Sequence, residues 1–411
     1  MAKNLKLEVL SDLDLVVREV PTARVLEMSV SAPEALTSRE RPRMNLALVI
    51  DRSGSMSGEK LNYVKDAALY VLGMLQEQDR LTVVTYDTSV ETLCAGEPVN
   101  SQNRDVMGGR IRALQTGDMT NLSGGWLQGC KEVAAAAGEG YLNRVLLLTD
   151  GLANQGITDM EELGHHASQL QQRGVATSTF GVGDGFNEHL LEHMANQGGG
   201  NFHFIEHPQA IPQIFMKELK EMAAVTARNV ELDVSVPPQV ETRVPGGWKT
   251  EWVEGRLRIT VGDMAAGQVR QVYLKLLTPP QGTADHLTFH VVARAMGEAG
   301  ELYEQAGEML YRYAPQAEVQ AAQPRQDVLQ RFGIVEVADV ATQALKLERE
   351  GKGPQASQML TRAMEANASY LPESTVAEYS RLSERMKKGL SEIDRKSTHF
   401  ALYAAKQTRK R

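Results

Sequence analysis

Met44-Asn-Leu-Ala-Leu-Val-Ile-Asp51-Arg-Ser53-Gly-Ser55-Met56 decides the fold. Its first seven residues form a nearly continuous apolar run, as a strand buried on both faces requires. The run breaks on Asp51, and a short Ser/Gly turn follows. Such a strand delivers a carboxylate to its end, with two hydroxyls beside it. Beyond the turn, Leu61, Val64, Ala68, Val71, Leu72 and Leu75 share one face of a helix over residues 59–75. The same alternation continues. Strands are predicted at 81–86, 145–148, 175–181 and 201–205. Helices are predicted at 104–114, 122–137, 160–172, 188–196 and 210–222. Strands alternating with helices imply parallel βα units, so residues 44–222 read as a doubly wound α/β domain.

The flanking sequence has a different period. Leu5, Leu7 and Val9 alternate with polar residues, as do Leu13, Leu15 and Val17, and a third strand follows Pro21. Residues 225–313 alternate again, with turn signals at Pro237-Pro238, Pro245-Gly246-Gly247 and Pro279-Pro280. This pattern predicts an all-β sandwich. The strands of residues 1–40 have no partners of their own and are expected to join it, which makes the α/β domain an insertion. Ser38-Arg-Glu-Arg-Pro-Arg43 and residues 314–324 read as linkers. Residues 325–411 read as a helical region, with one long helix stopped near Gly351-Lys-Gly-Pro354.

A chain of 411 residues exceeds one ordinary domain. With 42% hydrophobic and 23% charged residues it is neither collagen-like nor wholly disordered. No stretch approaches the roughly 20 apolar residues of a membrane helix. Met1-Ala-Lys-Asn-Leu-Lys6 has no apolar signal core. Cys94 and Cys130 are too few for a disulfide scaffold, and whether they pair is open at this point. These features set the expectation of a cytoplasmic protein. The net charge is −8, yet from Arg381 onward ten Lys/Arg face three Asp/Glu. The body is therefore acidic, which argues against a nucleic-acid-binding core.

The chemistry gathers at strand ends. Asp51, Ser53 and Ser55 offer one carboxylate and two hydroxyls, the oxygen ligands that hard divalent cations prefer. Val145-Leu-Leu-Leu-Thr149-Asp150-Gly151 is a second buried strand ending in a carboxylate. Neighbouring strands at the switch point of a doubly wound sheet would bring Asp51 and Asp150 together. Thr120 lies in a loop between them in sequence, just before a helix.

Asp51-x-Ser53-x-Ser55, Thr120-Asn-Leu and Thr149-Asp150-Gly151 resemble, in order and spacing, the metal-ion-dependent adhesion site of von Willebrand factor A domains. Thr179-Phe-Gly-Val-Gly183, Phe186-Asn-Glu188 and Gly198-Gly-Gly-Asn-Phe-His-Phe204 agree with it, and the similarity covers about residues 44–222. The resemblance implies Mg²⁺, with Mn²⁺ or Ca²⁺ as alternatives, held by Asp51, Ser53, Ser55, Thr120 and Asp150. It also implies a protein partner that offers an Asp or Glu to the metal. Asp118-Met119 departs from the glycines many members carry there, which alters the loop but removes no ligand. A domain of this kind beside a β-sandwich also resembles inter-alpha-trypsin-inhibitor-like and calcium-activated-channel-like bacterial proteins.

Two other readings compete. His189-Leu-Leu-Glu192-His193 has the order of an inverted zinc-protease motif, with both histidines on one helix. Against it, Leu190, Leu191 and Met194 mark an ordinary amphipathic helix, and no third ligand is assignable. The basic C-terminal tail could serve a nucleic-acid adaptor, although Phe400 and Tyr403 are few aromatics for stacking. Ser53 and Ser55 have no histidine within motif reach, so a hydrolase triad is unsupported. The leading expectation is a metal-dependent protein-binding module or scaffold without enzymatic activity.

Overall fold

Strand β1 (Lys6–Ser11) pairs antiparallel with β3 (Thr22–Ser31), and the short β2 (Leu15–Val17) lies between them in sequence. The computed structural model describes residues 4–34, 42–138, 140–280, 285–297 and 300–407. The predicted linker at 38–43 and the tail cations Arg409, Lys410 and Arg411 fall wholly or largely outside these residues.

The chain then builds the α/β unit, residues 35–229 together with 298–301. In order come β4 (Arg43–Asp51), α1 (Glu59–Met74), β5 (Arg80–Tyr86), β6 (Val90–Pro98), α2 (Ser101–Arg112), α3 (Leu122–Ala135) and β7 (Tyr141–Thr149). They are followed by α4 (Met160–Gln172), β8 (Val175–Val182), α5 (Glu188–Gln197), β9 (Gly199–Ile205) and α6 (Ile211–Ala223). The sheet order is β6-β5-β4-β7-β8-β9. All neighbours run parallel except β6, which pairs antiparallel with β5. The predicted strands and helices are present within a few residues. Strand β6 is an addition to that reading.

Both faces of this sheet are covered, as its apolar strands demand. Leu46, Leu48 and Ile50 of β4 join Val64, Val71 and Leu72 of α1 and Phe215 and Leu219 of α6 in one core. The small residues of α3 have a steric reason. A Cβ on Gly129 would stand 2.4 Å from Val49 Cγ2, so the helix lies closer to β4 than a side chain permits. Helix starts are capped locally. Asn100, Asn121, Asp159 and Asn187 each accept from a backbone N–H three residues on, satisfying donors the helix leaves free.

One charged cluster lies inside this unit. Glu218 of α6 is fully buried. Its carboxylate accepts from Ser178 Oγ at 2.5 Å and Asn201 Nδ2 at 2.8 Å. His203 Nε2 lies 2.9 Å away and Arg144 Nη1 3.5 Å. Burial pushes the carboxyl up, but His203, Arg144 and Asn201 outweigh it and hold Glu218 well below the usual carboxylate range.

The second unit comprises residues 1–34, 230–297 and 302–411. It contains β10 (Val225–Ser235), which begins in the α/β unit, β11 (Glu241–Arg243), β12 (Lys249–Val253), β13 (Arg256–Ala265), β14 (Val269–Thr278), β15 (His286–Gly297) and β16 (Leu302–Ala314). One sheet has the order β1-β3-β14-β11, the other β12-β13-β10-β15-β16-β2. β3 and β2 thus find partners more than 200 residues away, Met28 opposite Val272 and Val16 beside Tyr313, while β1 pairs with β3. The linker predicted at 314–324 contains a short helix, α7 (Gln316–Ala321).

The C-terminal segment is helical: α8 (Gln326–Arg349), α9 (Gly353–Ala366), α10 (Glu373–Lys388) and α11 (Glu392–Lys406). Val337, Ala341, Leu360, Leu382 and Leu402 share its core. Helix α8 packs Phe332 against Tyr273, and Arg331 clasps the buried Glu27 with two bonds, at 2.8 and 2.9 Å. The basic run is largely committed within this segment. Arg395 bonds Glu348 at 2.7 Å, Arg385 lies 2.5 Å from Asp394, and Lys396 and Lys406 are buried. A nucleic acid needs cations free to meet phosphate, so the adaptor reading loses most of its charge among the described residues. No helix there is long and apolar enough to cross a membrane. Cys94 and Cys130 are both free and buried.

Candidate metal centre

β4 and β7 are adjacent and parallel, with Ile50 beside Leu148. β4 is also where the sheet order reverses, the place where open α/β sheets form a ligand crevice beyond their strands' carboxyl ends. Asp51 closes β4 there, and Thr149 and Asp150 close β7. Asp51 is fully buried. Its Oδ1 accepts the Ser53 backbone N–H at 2.8 Å, and its Oδ2 accepts the Thr149 hydroxyl at 2.6 Å. Thr149 therefore orients a carboxylate, as expected of a packing or positioning residue. A turn of 3-10 helix at Gly54–Met56 brings Ser53 Oγ and Ser55 Oγ within 3.1 Å of each other. Ser55 Oγ donates to Asp150 Oδ1 at 2.6 Å. Lys60, in the first turn of α1, contacts Asp150 Oδ2 at 2.5 Å.

Thr120 is buried in the loop before α3. A Cβ placed on Gly151 would lie 3.6 Å from both Thr120 Oγ1 and Ser55 Oγ, so the two hydroxyls flank one point of the crevice. Backbone bonds clamp this loop. Gly54 N–H donates to Asp118 O at 3.0 Å, and Gly117 N–H to Arg52 O at 2.7 Å. Asn121 N–H donates to Asp87 O at 2.9 Å, and Thr120 N–H to Asn154 Oδ1 at 3.1 Å. Asp118-Met119, the departure from the glycines of many family members, is held through its backbone, which leaves both side chains exposed.

Asp87 fastens the same loop from the other side. Desolvation pushes its carboxyl up, but bonds from Ser89 and the Arg52 guanidinium outweigh it and hold it below its ordinary value. A Cβ on Gly117 would stand 1.8 Å from Asp87 Oδ2. Gly117→Ala should therefore displace that carboxylate and cost about 1–3 kcal/mol, as overpacking does. Urea unfolding checks it: the midpoint should fall while the slope stays that of the parent.

The donor set suits a hard cation. Two carboxylates and three hydroxyls offer oxygen alone. Burial raises the Asp51 carboxyl above its ordinary value, and bonds from Ser53 and Thr149 lower it without cancelling the shift. A nearby dication would offset that desolvation. The Ser53 and Ser55 hydroxyls are bonded to each other and to Asp150, not to an imidazole that could serve as base.

The zinc reading finds no third ligand among the described residues. His193 packs against Gly164, whose added Cβ would meet Nε2 at 2.1 Å, and the same nitrogen lies 3.7 Å from Glu161. Glu192 is buried on α5. Among the described residues no three His, Cys, Asp or Glu side chains gather in a metal-binding group. Glu192 and His193 are thus taken up in the packing of α5. His203 is buried beside Glu218, and His207 is exposed.

Comparison with known proteins bears on the α/β unit. Residues 45–217 match the model of the von Willebrand factor type A domain. The chain is 29% identical over 217 residues to "Uncharacterized protein YfbK" of Escherichia coli (strain K12), covering 52% of this chain and 36% of that protein. It is 23% identical over 327 residues to human inter-alpha-trypsin inhibitor heavy chain H1, covering 77% of this chain and 35% of that protein. The matched part is thus about a third of each relative's length. Among solved structures, "von Willebrand factor type A from Catenulispora acidiphila" shares the fold with a TM-score of 0.70 at 15% identity, over 94% of this chain and 97% of that one. Strand order and family match agree: residues 45–217 are a von Willebrand factor type A domain.

Proposed function

We propose that this domain is a divalent-metal-dependent protein-binding module, and that Asp51, Ser53, Ser55, Thr120 and Asp150 hold Mg²⁺, with Mn²⁺ or Ca²⁺ as substitutes. The observation that carries the reading is the meeting of the Asp51, Ser53, Ser55 and Asp150 side chains where β4 and β7 end. A metal bound there supplies Lewis acidity toward a carboxylate oxygen. Asp51 and Asp150 contribute the anionic charge, and Thr149 and the Ser53 N–H keep Asp51 oriented. The partner would present an Asp or Glu. The role is binding, as a scaffold, rather than catalysis. We read the two sheets of the other unit as a β-sandwich into whose sequence the domain is inserted. Two buried free thiols fit a reducing, cytoplasmic setting.

The test is a pull-down from native lysate with the full chain as bait, in Mg²⁺ and in EDTA, with an Asp51→Asn bait beside it. A protein retained by the parent in Mg²⁺, and by neither control, is the expected result. Identical sets in all lanes would end the metal-bridged reading.

A further inference from the structure

Asp150 has two oxygens and both are engaged. Oδ1 accepts from Ser55, and Oδ2 meets the Lys60 ammonium. The Asp150 side chain is wholly shielded from solvent, whereas that of Lys60 is 34% exposed. Lys60 is the second residue of α1. A cation in the first turn opposes the helix macrodipole, which favours anions there. The residue before the helix, Gly58, caps it with no side chain. Nothing in the helix therefore favours a lysine at this position, and among the described residues the anion it pairs with is Asp150.

The charge balance of the crevice follows. Asp51 and Asp150 bring two negative charges and Lys60 returns one positive. Arg52 is nearby in sequence, but its guanidinium faces Asp87 at 3.2 Å and Glu91 at 3.1 Å and is balanced there. The crevice therefore carries about −1 rather than −2. A dication entering it meets a weaker field, and the loaded site ends at about +1 instead of neutral.

Resting on the metal reading above, we propose that Lys60 is the built-in counter-charge of Asp150. It lowers the affinity of the site for Mg²⁺ and leaves the loaded site positive toward an anionic partner. Lys60 is a positioning and charge-setting residue, not a ligand. Through Oδ2 it also fixes which oxygen of Asp150 remains for Ser55. Asp150 is then tied to the other site residues through the Ser55 hydroxyl. A single ion pair so accounts both for a lysine in an unfavourable helical position and for the orientation of a buried carboxylate.

The experiment titrates MgCl₂ into the full-length parent, Lys60→Met and Lys60→Arg by calorimetry. The methionine variant keeps the length and removes the charge. It should bind Mg²⁺ about tenfold more tightly, the order expected for removing one partly screened unit charge. Lys60→Arg should stay within about twofold of the parent, because the charge is kept. Thermal unfolding supplies the second readout. In EDTA the methionine variant should melt below the parent, since Asp150 is left without its counter-charge, and Mg²⁺ should raise its midpoint by more than it raises the parent's. Equal Mg²⁺ affinity in parent, Met and Arg variants, or weaker binding by Lys60→Met, overturns the proposal while leaving the metal site standing. No saturable binding by the parent would overturn the metal reading itself, and this inference with it.

Discussion

Asp51→Ala should weaken Mg²⁺ binding by well over a hundredfold, since even groups that merely support a metal ligand cost roughly 10–100-fold when lost. Asp51 is the buried carboxylate at the centre of the cluster, with each oxygen oriented by a separate donor. In the metal-free protein the same substitution removes a carboxylate whose charged form burial disfavours, but it also takes this acceptor from the Ser53 N–H and the Thr149 hydroxyl. The two effects oppose each other, and the larger change is the loss of stabilisation by Mg²⁺. The parent, in contrast, should gain about 2.7 kcal/mol when Mg²⁺ is at 100 times its dissociation constant. For a unit of this size that is a midpoint rise of roughly 5–10 °C. Calorimetric titration and thermal unfolding in Mg²⁺ and EDTA check both halves. An Asp51→Ala protein that binds and melts like the parent in Mg²⁺ would remove the site.

Glu218→Ala should cost about 3–5 kcal/mol, the scale for leaving a buried charge without its partner. Arg144, itself buried, loses the carboxylate 3.5 Å away, and His203, Ser178 and Asn201 lose a shared acceptor. The thermal midpoint should fall by roughly 10 °C. The pH dependence has a definite sign. The folded pKa of Glu218 is depressed below the unfolded value near 4.5, so its contribution is full above that value and is lost as pH falls through the folded pKa. The stability gap between the parent and Glu218→Gln should therefore be flat at neutral pH and narrow in acid. Urea unfolding at several pH values measures it. A gap that widens in acid would contradict the arrangement.

These two residues differ in how far the sequence reveals them. Asp51 ends a continuous apolar run and begins a patterned turn, so period and spacing place it at a sheet edge. Asp150 is legible for the same reason, because parallel strands carry the same apolar signature. Thr120 depended on its order between them. Glu218 sits in Lys217-Glu-Leu-Lys-Glu221, which reads as a solvated helix face, and its partners come from residues 144, 178, 201 and 203. No local pattern encodes a meeting of five distant residues. Lys60 is hidden in the same way, since its anion lies 90 residues onward. Strand β6 escaped because Val90-Glu-Thr-Leu-Cys-Ala-Gly-Glu-Pro98 never settles into a two-residue period. Its pairing with β5 shifts register between Leu81 and Val84, and Gly96 takes a positive φ of 60°.

That irregular strand has a consequence for colloidal behaviour. The outer rim of a sheet is a template on which another polypeptide can crystallise as an added strand, the first step toward fibres. Here the rim carries Glu91 and Glu97, ends on a proline that cannot donate, and is kinked twice out of the flat repeat such growth requires. An apolar, mostly parallel sheet, slow to form and sticky while forming, is thus bordered on this side by a strand unsuited to recruiting a neighbour.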